Sequence, residues 1–128
     1  MADVSYVLPD TLRGEPAERE AFAHRSGCDL VEVAIGDAPP PALPWLLRAA
    51  ATDEDGRDLP RWHDRAWTAA FVAEALGAGD RAPAAVVVEP GDEWSRPADL
   101  VRAIGALRDG FLDRFGEAPV ILVANRAE

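Results

Sequence analysis

At 128 residues and 48% hydrophobic content, the chain has the length of one domain and enough apolar material to bury a core without disulfide or metal staples. Its formal charge is −10 and all 13 basic residues are arginine, so its long-range field repels phosphate backbones and nucleic acid is excluded as an expected partner. The single cysteine, Cys28, excludes an intramolecular disulfide and reads as a small apolar filler; no run approaches a membrane span, and MADVSYVLPD lacks the basic-then-apolar order of a signal peptide, so the expected location is cytoplasmic.

The first predicted strand is VSYVL, residues 4–8, closed by Pro9 and Asp10. A helix opens at Pro16, where a missing N–H costs nothing, carries Ala17, Ala21 and Phe22 on one face and stops at Gly27. DLVEVAIGD supplies a second strand over residues 30–35. The following DAPPPA forbids a helix, so the third apolar run, LPWLLRAA at 43–50, is reached by a connection about half as long as a usual parallel crossover. From Asp58, a plausible N-cap, a second helix is predicted, with Pro60 in its first turn. It carries Trp67, Ala70, Phe71 and Leu76 as its apolar stripe and Arg61, Asp64, Arg65 and Glu74 on its solvated face, and stops at Gly77. AAVVVE is a fourth strand, uniformly apolar as a strand covered on both faces should be. A long helix follows from Pro97 to Phe115, striped by Leu100, Val101, Ile104, Leu107, Phe111 and Phe115, and APVILVAN, residues 118–125, is the fifth strand.

This alternation predicts a single α/β domain over residues 1–128, built on a mostly parallel sheet of about five strands. Two architectures accept the order: half of a (β/α)8 TIM barrel, or a doubly wound, flavodoxin-like sheet. In both, ligands bind at the carboxyl ends of the strands. The residues predicted there are Asp10, Asp37, Arg48, Glu89, Asp92, Glu93, Asn125 and Arg126, with Glu32 inside the second strand. Acids mixed with arginines suit a polar, hydroxylated or anionic small molecule. Asp10, Asp37 and Asp92 adjoin Pro or Gly and read first as turn-closing side chains. Arg48 ends an apolar run, so it either meets a ligand or pairs with Glu32 or Glu89. His63 falls among charges at a helix start and reads as solvent-exposed, and His24 is a weaker candidate. No zinc-ligand spacing occurs, which leaves a hard divalent ion held by Glu32, Glu89 or Asp92 as the metal chemistry still open. The phosphate-cradling and serine-hydrolase motifs GxGxxG, GxxxxGK[ST] and GxSxG are all missing from the sequence.

The succession GCDLVEVAIGD, LPWLLRAA, ALGAGDRAPAAVVVEPGD and PVILVANRAE resembles the front half of a xylose-isomerase-like TIM barrel, the superfamily of sugar isomerases, sugar-phosphate epimerases and apurinic endonucleases. The resemblance implies Glu32 and Glu89 as an acid–base or metal-binding pair, Arg48 as the anchor for a carboxylate or phosphate, and Asn125 with Arg126 as further substrate contacts. The chain departs from that pattern where Arg48 and Glu89 stand in place of metal-binding histidines and Ala124 in place of a glutamate. Type I dehydroquinases are similar at Glu32 and Arg48, but their Schiff-base lysine cannot exist in a lysine-free chain. Retaining glycosidase barrels are similar only in ending the fourth strand with an acid. Two functions follow as expectations: a sugar or sugar-phosphate isomerase or epimerase, or a non-catalytic half barrel that pairs with itself or with a partner chain, since a half barrel leaves sheet edges and one apolar face uncovered.

Overall fold

The computed structural model describes residues 6–9, 14–49 and 60–124. The chain order is β1 (Val7–Leu8), α1 (Pro16–Ser26), β2 (Leu30–Ala34), β3 (Trp45–Ala49), α2 (Arg65–Leu76), β4 (Ala85–Val88), α3 (Pro97–Phe115) and β5 (Val120–Val123). All neighbouring strands pair in parallel, and their spatial order is their sequence order, β1 to β5. A flavodoxin-like sheet would place β1 between β2 and β3 and send helices to both faces. The sequential order has no such switch point, and consecutive right-handed crossovers lay their helices on one face.

Burial follows that topology residue by residue. Leu8, Val31, Val33, Trp45, Leu47, Val86 and Val88 alternate along the strands and are all at most 2% exposed. They meet Ala23 of α1, Phe71 and Ala75 of α2, and Ala103, Leu107 and Phe111 of α3 in one cluster. The intervening positions behave otherwise. Glu32 pairs in register with Leu46, Leu46 with Ala85 and Ala85 with Val120, while Ala34, Arg48, Val87 and Leu122 form the next row. None of these side chains is buried, and Val120 and Leu122 are 62% and 47% exposed. The expectation that the fourth strand is covered on both faces is therefore corrected: a continuous apolar run reports a parallel strand, and here only one of its faces is buried.

Two helices also differ from their predicted form. Ala17, Ala21 and Phe22 of α1 are exposed, and Arg19 and Ala23 are the buried residues. The apolar count on α1 is too small to fix its rotation, and Arg19 turns inward because backbone acceptors await it. Its Nη2 donates to the carbonyls of Pro9 and Glu32, at 2.9 and 2.8 Å. The second helix starts at Arg65 and not near Asp58, which lies outside the described residues. Asp64, predicted for the solvated face, is the N-cap and accepts from the Trp67 amide at 3.1 Å. Pro60 and Trp62 precede the helix and are fully buried. α3 has the bounds predicted for it, ending at Gly116 in the left-handed region (φ 77°), although Val101 points outward at 68% exposure.

The short connection from β2 to β3 is resolved without a helix. Residues 35–44 run back along the covered side of the sheet, and extended proline-rich backbone gains about 3.1 Å per residue, so ten residues exceed a five-residue strand's length of roughly 17 Å. Side chains from both flanking helical units hold it. The Glu20 carboxylate accepts from the amides of Ala42 and Leu43 at 2.8 and 2.9 Å, and Arg81 Nη2 donates to the carbonyls of Pro40 and Leu43 at 2.7 Å each. At Gly79 a Cβ would stand 2.7 Å from Pro39 Cγ, so Gly79→Ala should lower folding stability by about 1–3 kcal/mol, measured by urea denaturation.

The amides of Leu43 and Ala42 hold the Glu20 carboxyl below the usual glutamate range, outweighing desolvation. Because the folded value is depressed, this anchor contributes its full stability above the ordinary carboxylate pKa of about 4.3 and loses it as pH falls through the lower folded value. The melting temperature of Glu20→Gln should accordingly trail the parent at pH 7, and the gap should close as pH falls through the lowered folded value.

Candidate functional site at the carboxyl ends of the strands

Glu32 and Arg48 come together as the sequence allowed. Both project from the uncovered face near the carboxyl ends of β2 and β3, with Arg48 Nη1 3.9 Å from Glu32 Oε2. The Glu32 side chain is 16% exposed and that of Arg48 40%. At this separation and exposure the pair is worth at most about 1 kcal/mol. The guanidinium thus meets its carboxylate at long range and keeps an accessible side.

Glu89 immediately follows β4, one strand beyond Arg48, and is half-buried. Its carbonyl accepts the indole N–H of Trp62 at 2.9 Å. Asn125 and Arg126, together with Asp10, lie outside the described residues. Asp37 is exposed in the turn closing β2, its amide donating to Ala34. Glu93 is exposed.

Sequence reasoning missed the centre of this end of the molecule, which is Trp62. Its ring meets Trp67 and Phe71 edge-on, with centroids 5.4 and 5.1 Å away. Its amide donates to Ser95 Oγ at 3.0 Å, and its carbonyl accepts from Arg102 Nη2 at 3.2 Å. Gly91 is the complementary feature: φ is 111°, and a Cβ there would stand 2.6 Å from Trp62 Cδ1. Glycine at position 91 thus lets the loop cross the indole. Trp62, Glu89, Gly91 and Ser95 were each visible as a letter, but none lies in a periodic stripe, and the pairings of Trp62 with the other three span 27 positions or more.

Asp92, His63 and Ser95 converge, and their geometry decides what they are. His63 Nδ1 is 3.4 Å from Asp92 Oδ1 and 3.5 Å from Ser95 Oγ, while Ser95 Oγ donates to Asp92 Oδ1 at 2.9 Å. A serine–histidine–acid relay needs the imidazole to bridge the other two groups with different nitrogens. Here both face the same nitrogen and the serine proton goes to the acid, so the trio is a loop clasp. Asp92 also accepts from the amides of Trp94 and Ser95, the turn role its neighbours predicted. Desolvation pushes the Asp92 carboxyl up, but the Ser95 hydroxyl, the charge of His63 and those two amides outweigh it and hold the group below the usual aspartate range. At the start of α3, Asp99 is likewise held low, chiefly by the Arg96 amide it accepts at 3.0 Å. His63 is exposed as predicted, in the turn before α2 and not within the helix.

Among the described residues no three His, Cys, Asp or Glu side chains are grouped to hold a metal ion. No described helix is long and apolar enough to cross a membrane. The site and fold define an α/β domain with a sequentially ordered parallel sheet, one face of which is open and bears an ion pair. No known protein family, curated protein or solved structure matches the chain.

Proposed function

We propose that the chain is a half-barrel domain that works by association, its open sheet face being covered by a partner. One observation carries this reading: along β2 to β4 the helix-covered residues Val31, Val33, Trp45, Leu47, Val86 and Val88 are at most 1% exposed while no side chain of the opposite face is buried, and on the edge strand β5 that face shows Val120 at 62% and Leu122 at 47%, with Val123 of the covered face also open at 45%. Contiguous exposed apolar surface of this kind marks an interaction site far more often than scattered single residues do. The surface is a strand array, so a partner gains both apolar burial and unpaired strand edges. At sub-micromolar concentration the purified chain should bind the neutral apolar dye Nile red, and Leu122→Asp should remove most of that fluorescence without changing the far-ultraviolet circular dichroism. Unchanged fluorescence in Leu122→Asp would refute the assignment of the surface to this face.

A second reading has support from the Glu32–Arg48 pair, which lies on that same face where sugar isomerases and epimerases of the barrel type would carry substrate contacts. Under it, Arg48 anchors a phosphate or carboxylate and Glu32 with Glu89 handles protons. A sugar phosphate such as glucose 6-phosphate should then raise the melting temperature, and Arg48→Met or Glu89→Gln should abolish the rise. No shift across a panel of sugar phosphates and divalent metals would leave the association reading alone.

A further inference from the structure

The association reading names a surface, and, resting on it, we infer that the occupant is a second copy of this chain, related by a two-fold axis parallel to the strands. Within the strands, the uncovered face holds one acid and one base, Glu32 and Arg48, among otherwise apolar side chains, with Glu89 just beyond the end of β4. The strand array is therefore charge-neutral on a chain of net charge −10. A basic partner finds no acidic surplus on this face, whereas a second copy meets an apolar surface like its own, with each guanidinium able to approach the other copy's carboxylate.

The edges agree. β1 and β5 terminate the sheet on its two sides. On β5 the amides of Val120 and Ala124 donate to Ala84 and Val88, so alternation aims the N–H and C=O groups of Ile121 and Val123 at the free edge. A two-fold axis parallel to the strands brings β5 of each copy beside β1 of the other in parallel, the pairing type the sheet already uses throughout. It closes the assembly at two copies with no strand edge left over, and it gathers both Glu32–Arg48 pairs at one mouth. An axis perpendicular to the strands would instead set β5 against β5 in antiparallel fashion and leave both β1 edges bare.

The area is sufficient. Four strands roughly 15 Å long and the two-residue β1, all about 4.8 Å apart, present on the order of 300 Å² in projection per copy, which corresponds to on the order of 1,000 Å² of accessible surface for the pair, the lower end of specific interfaces. Such an interface should half-dissociate in the micromolar range. Because each copy carries −10 charges, added salt should tighten it by screening the repulsion of the remaining surface.

Sedimentation velocity across about 1–200 µM, spanning that range, tests this, with Nile red fluorescence read on the same samples. The expected result is a species of twice the chain mass that grows with concentration and with salt, while dye fluorescence per chain falls. Leu122→Asp and, independently, Val120→Asp should be monomeric throughout, and Val101→Asp on the outer surface of α3 should dimerise as the parent does. Ile121→Pro, which removes an edge-facing N–H and leaves the β4 ladder intact, should weaken the dimer at least tenfold. A parent that stays monomeric but binds dye in a Leu122-dependent way overturns the second copy and leaves the association surface standing. A monomer without dye binding overturns both. A dimer that survives Leu122→Asp and Val120→Asp places the contact elsewhere and also overturns the inference.

Discussion

Trp62→Phe is expected to cost about 2–3 kcal/mol of folding stability, while Trp45→Phe, an equal loss of volume at an equally buried site, should cost about 1 kcal/mol or less. The difference lies in the indole nitrogen. Trp62 Nε1 donates to the carbonyl of Glu89, and removing it leaves a half-buried acceptor without that donor. Trp45 Nε1 is buried with no hydrogen-bond partner, so its loss relieves a desolvation penalty that offsets the missing volume. Trp62→Ala removes the ring contacts as well and should cost about 3–5 kcal/mol. Gly91→Ala should approach that effect from the other side, because it forces a side chain into the same indole at a positive φ. Urea denaturation of the four variants, with the slope against denaturant unchanged, is the check; equal losses for Trp62→Phe and Trp45→Phe would contradict the role given to the indole N–H.

Arg19→Met should lower stability by about 2–3 kcal/mol, a large effect for the loss of a charged residue from an acidic protein. Its cause is the brevity of β1. The strand stops at Leu8, and Arg19 binds the chain just beyond it: its guanidinium donates to the carbonyl of Pro9 and to that of Glu32 on β2, tying the end of β1 to its neighbour. Amide hydrogen exchange should show where the energy sits: the β1–β2 ladder around Leu8 and Val31 should exchange faster in Arg19→Met, and the β4–β5 ladder should not. Uniform acceleration across the sheet would mean that Arg19 supports the core in general and not the end of β1. Under the association proposal this variant also weakens dimerisation, because it loosens the edge that receives β5 of the second copy.

Much of the scaffold was legible in the sequence because it rests on local signals. The three β-branched residues of β4, the Pro-opened and Gly-closed frame of α3 and the alternation of strands with helices each state their own structure. The Glu32–Arg48 pair was one of the outcomes the sequence left open for Arg48, beside a ligand contact or a pair with Glu89, because each is a charged residue inside an apolar strand and neighbouring strands of a parallel sheet bring such residues together. The true start of α2 was less legible, since Asp58 and Asp64 both satisfy the cap rule and only the burial of Trp62 against the β4 loop favours the second. The rotation of α1 was not legible at all. Its sequence offers three small or apolar residues on one side and Arg19 on the other, and the decision belongs to the carbonyls of Pro9 and Glu32, which lie on different elements.

The sequence by itself determined an α/β chain with parallel strands, the identity of the charged residues near their carboxyl ends and the exclusion of lysine chemistry. These follow from periodicity, turn residues and composition, which act within a few residues of one another. Only the tertiary structure decided that the strands lie in sequential order, that helices cover a single face, and that the Pro-Gly break after Glu89 exists to pass an indole. Those outcomes depend on which surfaces meet across 20 or more residues, and an apolar strand reads the same whether one of its faces is covered or both.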